Sequence, residues 1–126
     1  NVNNNRNINM KTISRYIAAL NADIEYSVGR DAEDNFIIID NANENDIWFH
    51  IEGSPSGHVI ANVPEDMKFS KKQLRQIITQ GALVCKEHSK YKSQRNLDIV
   101  YAPVKNVEKT NIIGRVSIVN SKIISV

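Results

Sequence analysis

With 126 residues, 41% of them hydrophobic and 24% charged, the chain has the size and balance of one soluble globular domain. Its single cysteine excludes an intramolecular disulfide, and no apolar run approaches the roughly 18–20 residues of a membrane span. The expectation is therefore a cytoplasmic protein with no membrane partner. The net charge of +2 conceals an asymmetry: residues 23–66 hold eleven acids and one base, whereas residues 67–126 hold twelve bases and three acids. A basic half in a nearly neutral protein suits a polyanion, and equally suits two halves folded against each other.

Asn1 to Asn9 is Asn-rich and polar, without the apolar core of a signal peptide, and reads as a flexible tail ahead of a domain over 10–126. Met10, Ile13, Tyr16, Ile17 and Leu20 recur at three- and four-residue spacing, which predicts an amphipathic helix over 10–21. Ile24 to Val28 reads as a strand ending at Gly29, and Asp31 to Asn35 as a polar turn. Phe36-Ile37-Ile38-Ile39 fits a buried strand or a short helix, and its length does not arbitrate.

Ile47, Phe49 and Ile51 alternate with Asp46, Trp48, His50 and Glu52, and a Gly/Ser/Pro turn leads into a second alternating run from His58 to Val63. A hairpin pairing Ile51 with Val59, Phe49 with Ala61 and Ile47 with Val63 makes one face wholly apolar. The other face then carries Trp48, two imidazoles and two carboxylates, which is unusual for a plain solvent face. A one-residue slip would mix the faces, so the pattern resists it.

Ser70 and Gln73 form a capping-box pattern at the start of the clearest helix, which runs to about His88. Gly81 within it marks close packing on the sheet. Residues 89–96 form a basic loop. Leu97 to Tyr101 alternates as a strand, and residues 104–107 suit another. Residues 116–119 and 123–126 read as a hairpin across Asn120-Ser121. The order implies an α+β fold, with one mostly antiparallel sheet and both the long helix and an N-terminal helix on one of its faces.

Several of these pieces occur together in one known pattern. Gly29-Arg30-Asp31-Ala32-Glu33-Asp34-Asn35 is a glycine-basic-x-Ala-x-x-Asn stretch, and Asp46 to His50 reads Asp-Ile-Trp-Phe-His before a turn into His58-Val59. Ser89-Lys90, then Tyr101 with Val104, Lys105, Val107 and Lys109, then Gly114-Arg115-Val116 follow in order. Over roughly residues 24–126 the chain resembles the NFACT RNA-binding domain family, which occurs at the C-terminus of NFACT proteins of ribosome-associated quality control and as short stand-alone proteins. The family turn usually reads Pro-Gly-Ser-His; here it is Pro55-Ser56-Gly57-His58, with the serine displaced. The resemblance implies RNA binding, with tRNA or rRNA as the partner, and no attached reaction or cofactor.

The candidate nucleic-acid contacts are Arg30, Asp46, Trp48, His50, Ser56, His58, Lys90, Lys92, Arg95, Lys105 and Lys109. Trp48 either stacks on a base or packs beneath the long helix. His50 and His58 either bond phosphate or base edges, or hold the 53–57 loop. Lys90, Lys92 and Arg95 form either a phosphate-contacting or a solvated loop. Arg30 is an ion-pair partner or a ligand contact, and the resemblance favours the second. Lys105 and Lys109, four apart, share a face if extended. The His/Asp/Glu spacing matches no metal-ligand motif, and Ser54 or Ser56 lacks a nucleophile elbow. Cys85 lies on the apolar helix face as a small core residue. The alternatives to RNA are DNA, or a protein adaptor that uses the acidic 23–66 stretch.

Overall fold

The computed structural model describes residues 10–126; the predicted tail, 1–9, lies outside them. Strand β1 spans Lys11–Ile17, β2 Ala22–Val28, β3 Ile47–Ile51, β4 Val59–Asn62, β5 Asp98–Pro103, β6 Val107–Lys109, β7 Val116–Ile118 and β8 Lys122–Ser125. Helix α1 spans Ala32–Asp40 and α2 spans Lys71–Glu87, and one 3-10 turn covers Val104–Asn106. Six strands form an antiparallel sheet in the order β1-β2-β4-β3-β5-β8, and β6 and β7 form a separate two-stranded sheet. The fold is α+β. Among the described residues no helix is long and apolar enough to cross a membrane.

The expected N-terminal helix is a strand. Helical spacing and strand alternation both select Ile13 and Ile17, so periodicity over this stretch was degenerate. Pairing decides it: β1 forms a seven-residue ladder with β2. Asn21, at φ 52°, closes the hairpin, and its side chain accepts from the Tyr16 hydroxyl at 2.6 Å. Tyr16, assigned to the apolar stripe of a helix, is 58% exposed. Arg15 turns toward α2, bonding Gln80 and pairing with Glu87.

Residues 32–40 are helical because Asp31 caps them, accepting from the Asp34 N–H at 2.8 Å. This resolves the ambiguity at Phe36–Ile39 and takes the predicted polar turn into the helix. Helix α2 has both arms of its capping box: Ser70 accepts from Gln73 N–H at 3.1 Å, and Gln73 accepts from Ser70 N–H at 2.9 Å. Gly81 lies against Phe49; a Cβ there would sit 2.2 Å from the ring.

The helices do not share a face. Helix α2 covers Ile24, Tyr26, Phe49, Ile51 and Ile99, while α1, the 3-10 turn and β6 cover Trp48, Ile60, Val100 and Ala102 on the reverse. The sheet is therefore buried on both sides. The predicted terminal hairpin is also absent: β7 pairs with β6, whereas β8 leaves it after Asn120, at φ 53°, to edge the main sheet beside β5.

The β3–β4 hairpin keeps the predicted faces in a different register. Phe49 pairs with Val59, Trp48 with Ile60 and Ile47 with Ala61, two residues from the expected alignment. A shift of two leaves every side chain on its own face. It also lengthens the loop, so His50 falls beyond the pairs with β4, while on the other edge of β3 it pairs with Val100 of β5.

Candidate nucleic-acid interface

The loop between β3 and β4 is held from outside itself. Asn35 of α1 accepts from the His58 N–H at 2.9 Å, and the Gly29 N–H donates to the His58 carbonyl at 2.8 Å. A Cβ on Gly29 would lie 2.3 Å from the Asn35 Oδ1, and one on Gly57 2.1 Å from the Gly29 carbonyl oxygen. The glycine-basic-x-Ala-x-x-Asn stretch thus has a mechanical role: it lets two backbones meet and pins His58. Asp34 accepts from the Arg30 guanidinium at 3.1 Å and from its N–H at 3.2 Å. Ser56 accepts from the Ile51 N–H and donates to the Gly57 carbonyl, both at 3.4 Å.

Three rings come together beneath this loop. Trp48 and His50 stack with centroids 5.7 Å apart and planes at 12°. His58 stands edge-on to both, 5.1 Å from Trp48 and 5.0 Å from His50. Trp48 is 1% exposed and His58 3%, whereas His50 is half-buried. Burial, and secondarily the neighbouring His50, pushes the His58 imidazole down to about 3, and burial lowers His50 as well. Both rings are neutral near pH 7. They therefore offer flat surface and hydrogen-bonding edges, and no positive charge. The Trp48 Nε1 and the His58 Nδ1 are shielded from solvent and have no hydrogen-bond partner among the described residues.

The ring cluster opens into a cleft of about 470 Å³. Trp48 and His50 lie at its base, residues 53–56 form one wall, residues 112–116 the other, and Ala32 an end. Ile112 and Ile113 stand 51% and 59% exposed beside it. The second wall is an ordered turn: Thr110 Oγ1 donates to the Arg115 carbonyl at 2.9 Å, and the Arg115 N–H to the Ile112 carbonyl at 3.0 Å. Gly114, at φ 82°, lets the turn rest on Ala32. The basic loop comes near the first wall, where the Ser54 side chain, and then Lys90, hold the Tyr91 phenol below the usual range. The Lys90 ammonium lies 5.4 Å from the Tyr91 ring centroid. Lys92 and Arg95 are exposed in the same loop.

The other candidates lie elsewhere. Asp46 is buried at the start of β3, where its carboxylate accepts from the Asn43 and Val63 N–H groups, both at 2.9 Å. Burial raises its pKa, and those two bonds oppose the rise. Lys105 is in the 3-10 turn and Lys109 ends β6, so the two do not share an extended strand. Lys109 pairs with Asp40 and lies 5.4 Å from the Phe36 ring centroid. Neither lysine lines the cleft. Arg30 is exposed beside α1 and ion-paired with Asp34. Cys85 is buried in the core, and burial pushes its thiol up to about 12.

Ile112, Ile113 and Arg115 were not among the predicted contacts. Their sequence signal was the Gly114-Arg115-Val116 motif next to an isolated aliphatic pair. A more enclosed hollow of about 330 Å³ lies on the α2 face, among Val63, Met67, Phe69, Leu74 and Tyr101. It has one lysine, Lys122, and none of the clustered rings, so the site is placed at the Trp48–His50 cleft. Among the described residues no three His, Cys, Asp or Glu side chains are grouped to hold a metal ion.

An α+β domain with a largely buried ring cluster at a cleft lined by Arg115, and with a basic loop near one wall, has the makings of a nucleic-acid-binding module. Comparison with known families agrees: residues 18–120 match the family described as NFACT protein RNA binding domain, and the chain belongs to it. The match begins just after β1, a strand that nevertheless joins the same sheet. No curated protein matches the chain. Among solved structures it resembles the C-terminal part of the fibronectin/fibrinogen-binding protein from Streptococcus suis, with a TM-score of 0.72 and 21% identity over 90% of this chain. The chain spans 44% of that chain, and the likeness is one of fold.

Proposed function

We propose that this domain binds RNA without catalysing a reaction, that its target is tRNA or ribosomal RNA, and that it acts in the cytoplasm in translation quality control. The observation that carries this reading is the position of the bases around the cleft. Arg115 belongs to one wall, and Lys90, Lys92 and Arg95 lie in the loop whose Tyr91 comes near Ser54 of the other. With His50 and His58 neutral, these lysines and arginines supply the phosphate attraction. The pairing of Arg30 with Asp34 and of Lys109 with Asp40 leaves those two less charge to offer.

The test is fluorescence anisotropy of a labelled tRNA titrated with the protein at several salt concentrations. Micromolar or tighter binding is expected, with log K falling linearly in log[salt] at a slope of roughly −0.7 to −0.9 per phosphate contacted. Absence of binding at low salt would remove the RNA reading and favour a protein partner for the acidic 23–66 stretch.

A further inference from the structure

The cleft has two kinds of surface, and only one of them suits phosphate. Its rim is basic. The rest of its lining includes His50, Trp48, Pro55 and the aliphatic side chains of the opposite wall. Two isoleucines held more than half exposed on an ordered turn gain by covering something flat and apolar. The volume falls within the roughly 300–1,000 Å³ of small-ligand sites. Of the two buried ring nitrogens without a partner among the described residues, the Trp48 Nε1 belongs to a residue that lines this opening. A base paired in an A-form helix keeps its faces stacked and its major-groove edge out of reach, so a duplex offers backbone, 2′-hydroxyls and minor-groove edges here but no base face.

We propose that the cleft seats one unpaired nucleobase, with its face on the His50 imidazole and Ile112–Ile113 closing over it, so that the domain selects unpaired over duplex RNA. This rests on the RNA-binding function proposed above. Trp48 acts here as a positioning residue. It backs His50 in a parallel stack and is itself covered, so the exposed end of the stack is the imidazole. Arg115, on the same wall as Ile113, is placed to meet a flanking phosphate.

Trp48 is the only tryptophan, so its emission reports on the cleft directly. The full chain would be titrated with a short single-stranded RNA, with a blunt duplex of the same sequence, and with an abasic strand of equal length and charge. The expected result is saturable change in Trp48 emission with the single strand, and about tenfold or weaker binding of the duplex and abasic strands. Ile113→Ser, at an exposed position that does not threaten the fold, should bring the single strand down toward the abasic one. His50→Ala should do the same, with circular dichroism confirming the fold. Equal binding of all three nucleic acids, unaltered by Ile113→Ser, would overturn the base pocket and leave the RNA-binding reading standing. Binding of none would overturn both.

Discussion

Mild acid should destabilise this fold through His58. The ring is 3% exposed against Trp48 and His50, and its pKa is about 3. In the unfolded chain an imidazole titrates near 6.5. Between those values the unfolded state binds a proton that the folded state refuses. Stability is thus complete above about pH 6.5 and declines as pH falls toward 3. At about pH 5 the loss from this one group is roughly 2 kcal/mol, a large share of the 5–15 kcal/mol typical of a domain. His50, shifted the same way, adds to the loss. Asp46 works oppositely, because burial makes its folded carboxyl take up a proton more readily than the unfolded one. It offsets part of the loss at the acid end.

The assay is urea denaturation followed by Trp48 emission and circular dichroism, at neutral pH and at about pH 5. His58→Phe keeps a ring and removes the titration, so its stability should depend on pH by less than half as much. A wild-type stability flat to within about 0.5 kcal/mol across that range would refute the neutral, buried imidazole. So would a His58→Phe protein that keeps the full slope.

Gly81→Ala sets helix propensity against packing. Alanine favours the helix by about 1 kcal/mol, but its Cβ would fall 2.2 Å from the buried Phe49 ring. Overpacking costs about 1–3 kcal/mol, so a lower urea midpoint is expected, and a raised one would show that Phe49 gives way freely. Asp46→Asn keeps one acceptor oxygen but sets its NH2 donor against the other of two backbone N–H groups, and should cost about 1–3 kcal/mol in denaturation, while RNA affinity per folded molecule stays unchanged. A selective loss of affinity would return Asp46 to the binding surface. Ser70→Ala removes one arm of the α2 capping box, and thermal unfolding should register about 1 kcal/mol.

What could be read from the sequence was whatever local periodicity determines. The capping box and stripe of α2 needed no partner to be recognised, and residues 71–87 are helical as that pattern implies. The faces of β3 and β4 were also legible. Alternation of Ile47, Phe49 and Ile51 with Trp48 and His50 survives a two-residue change of register, since the strand period is two. The motif residues Gly29, Asn35 and His58 were visible too, and holding the 53–57 loop was one reading of His58, but that Gly29 and Asn35 pin it was not.

Tertiary structure decided the rest. Residues 10–21 satisfied both a helical and a strand period, and only the ladder to β2 selected the strand. Whether Trp48 stacked on a ligand or packed beneath the long helix stayed open, because nothing local announces that α1 and β6 will cover its face. The cleft wall at residues 112–116 lies some sixty positions from His50, and β7 reaches it by pairing with β6 instead of its sequence neighbour β8. Such contacts depend on which apolar faces find each other once the chain has collapsed. Burial is a property of the partner surface as much as of the residue, and no window of sequence contains both.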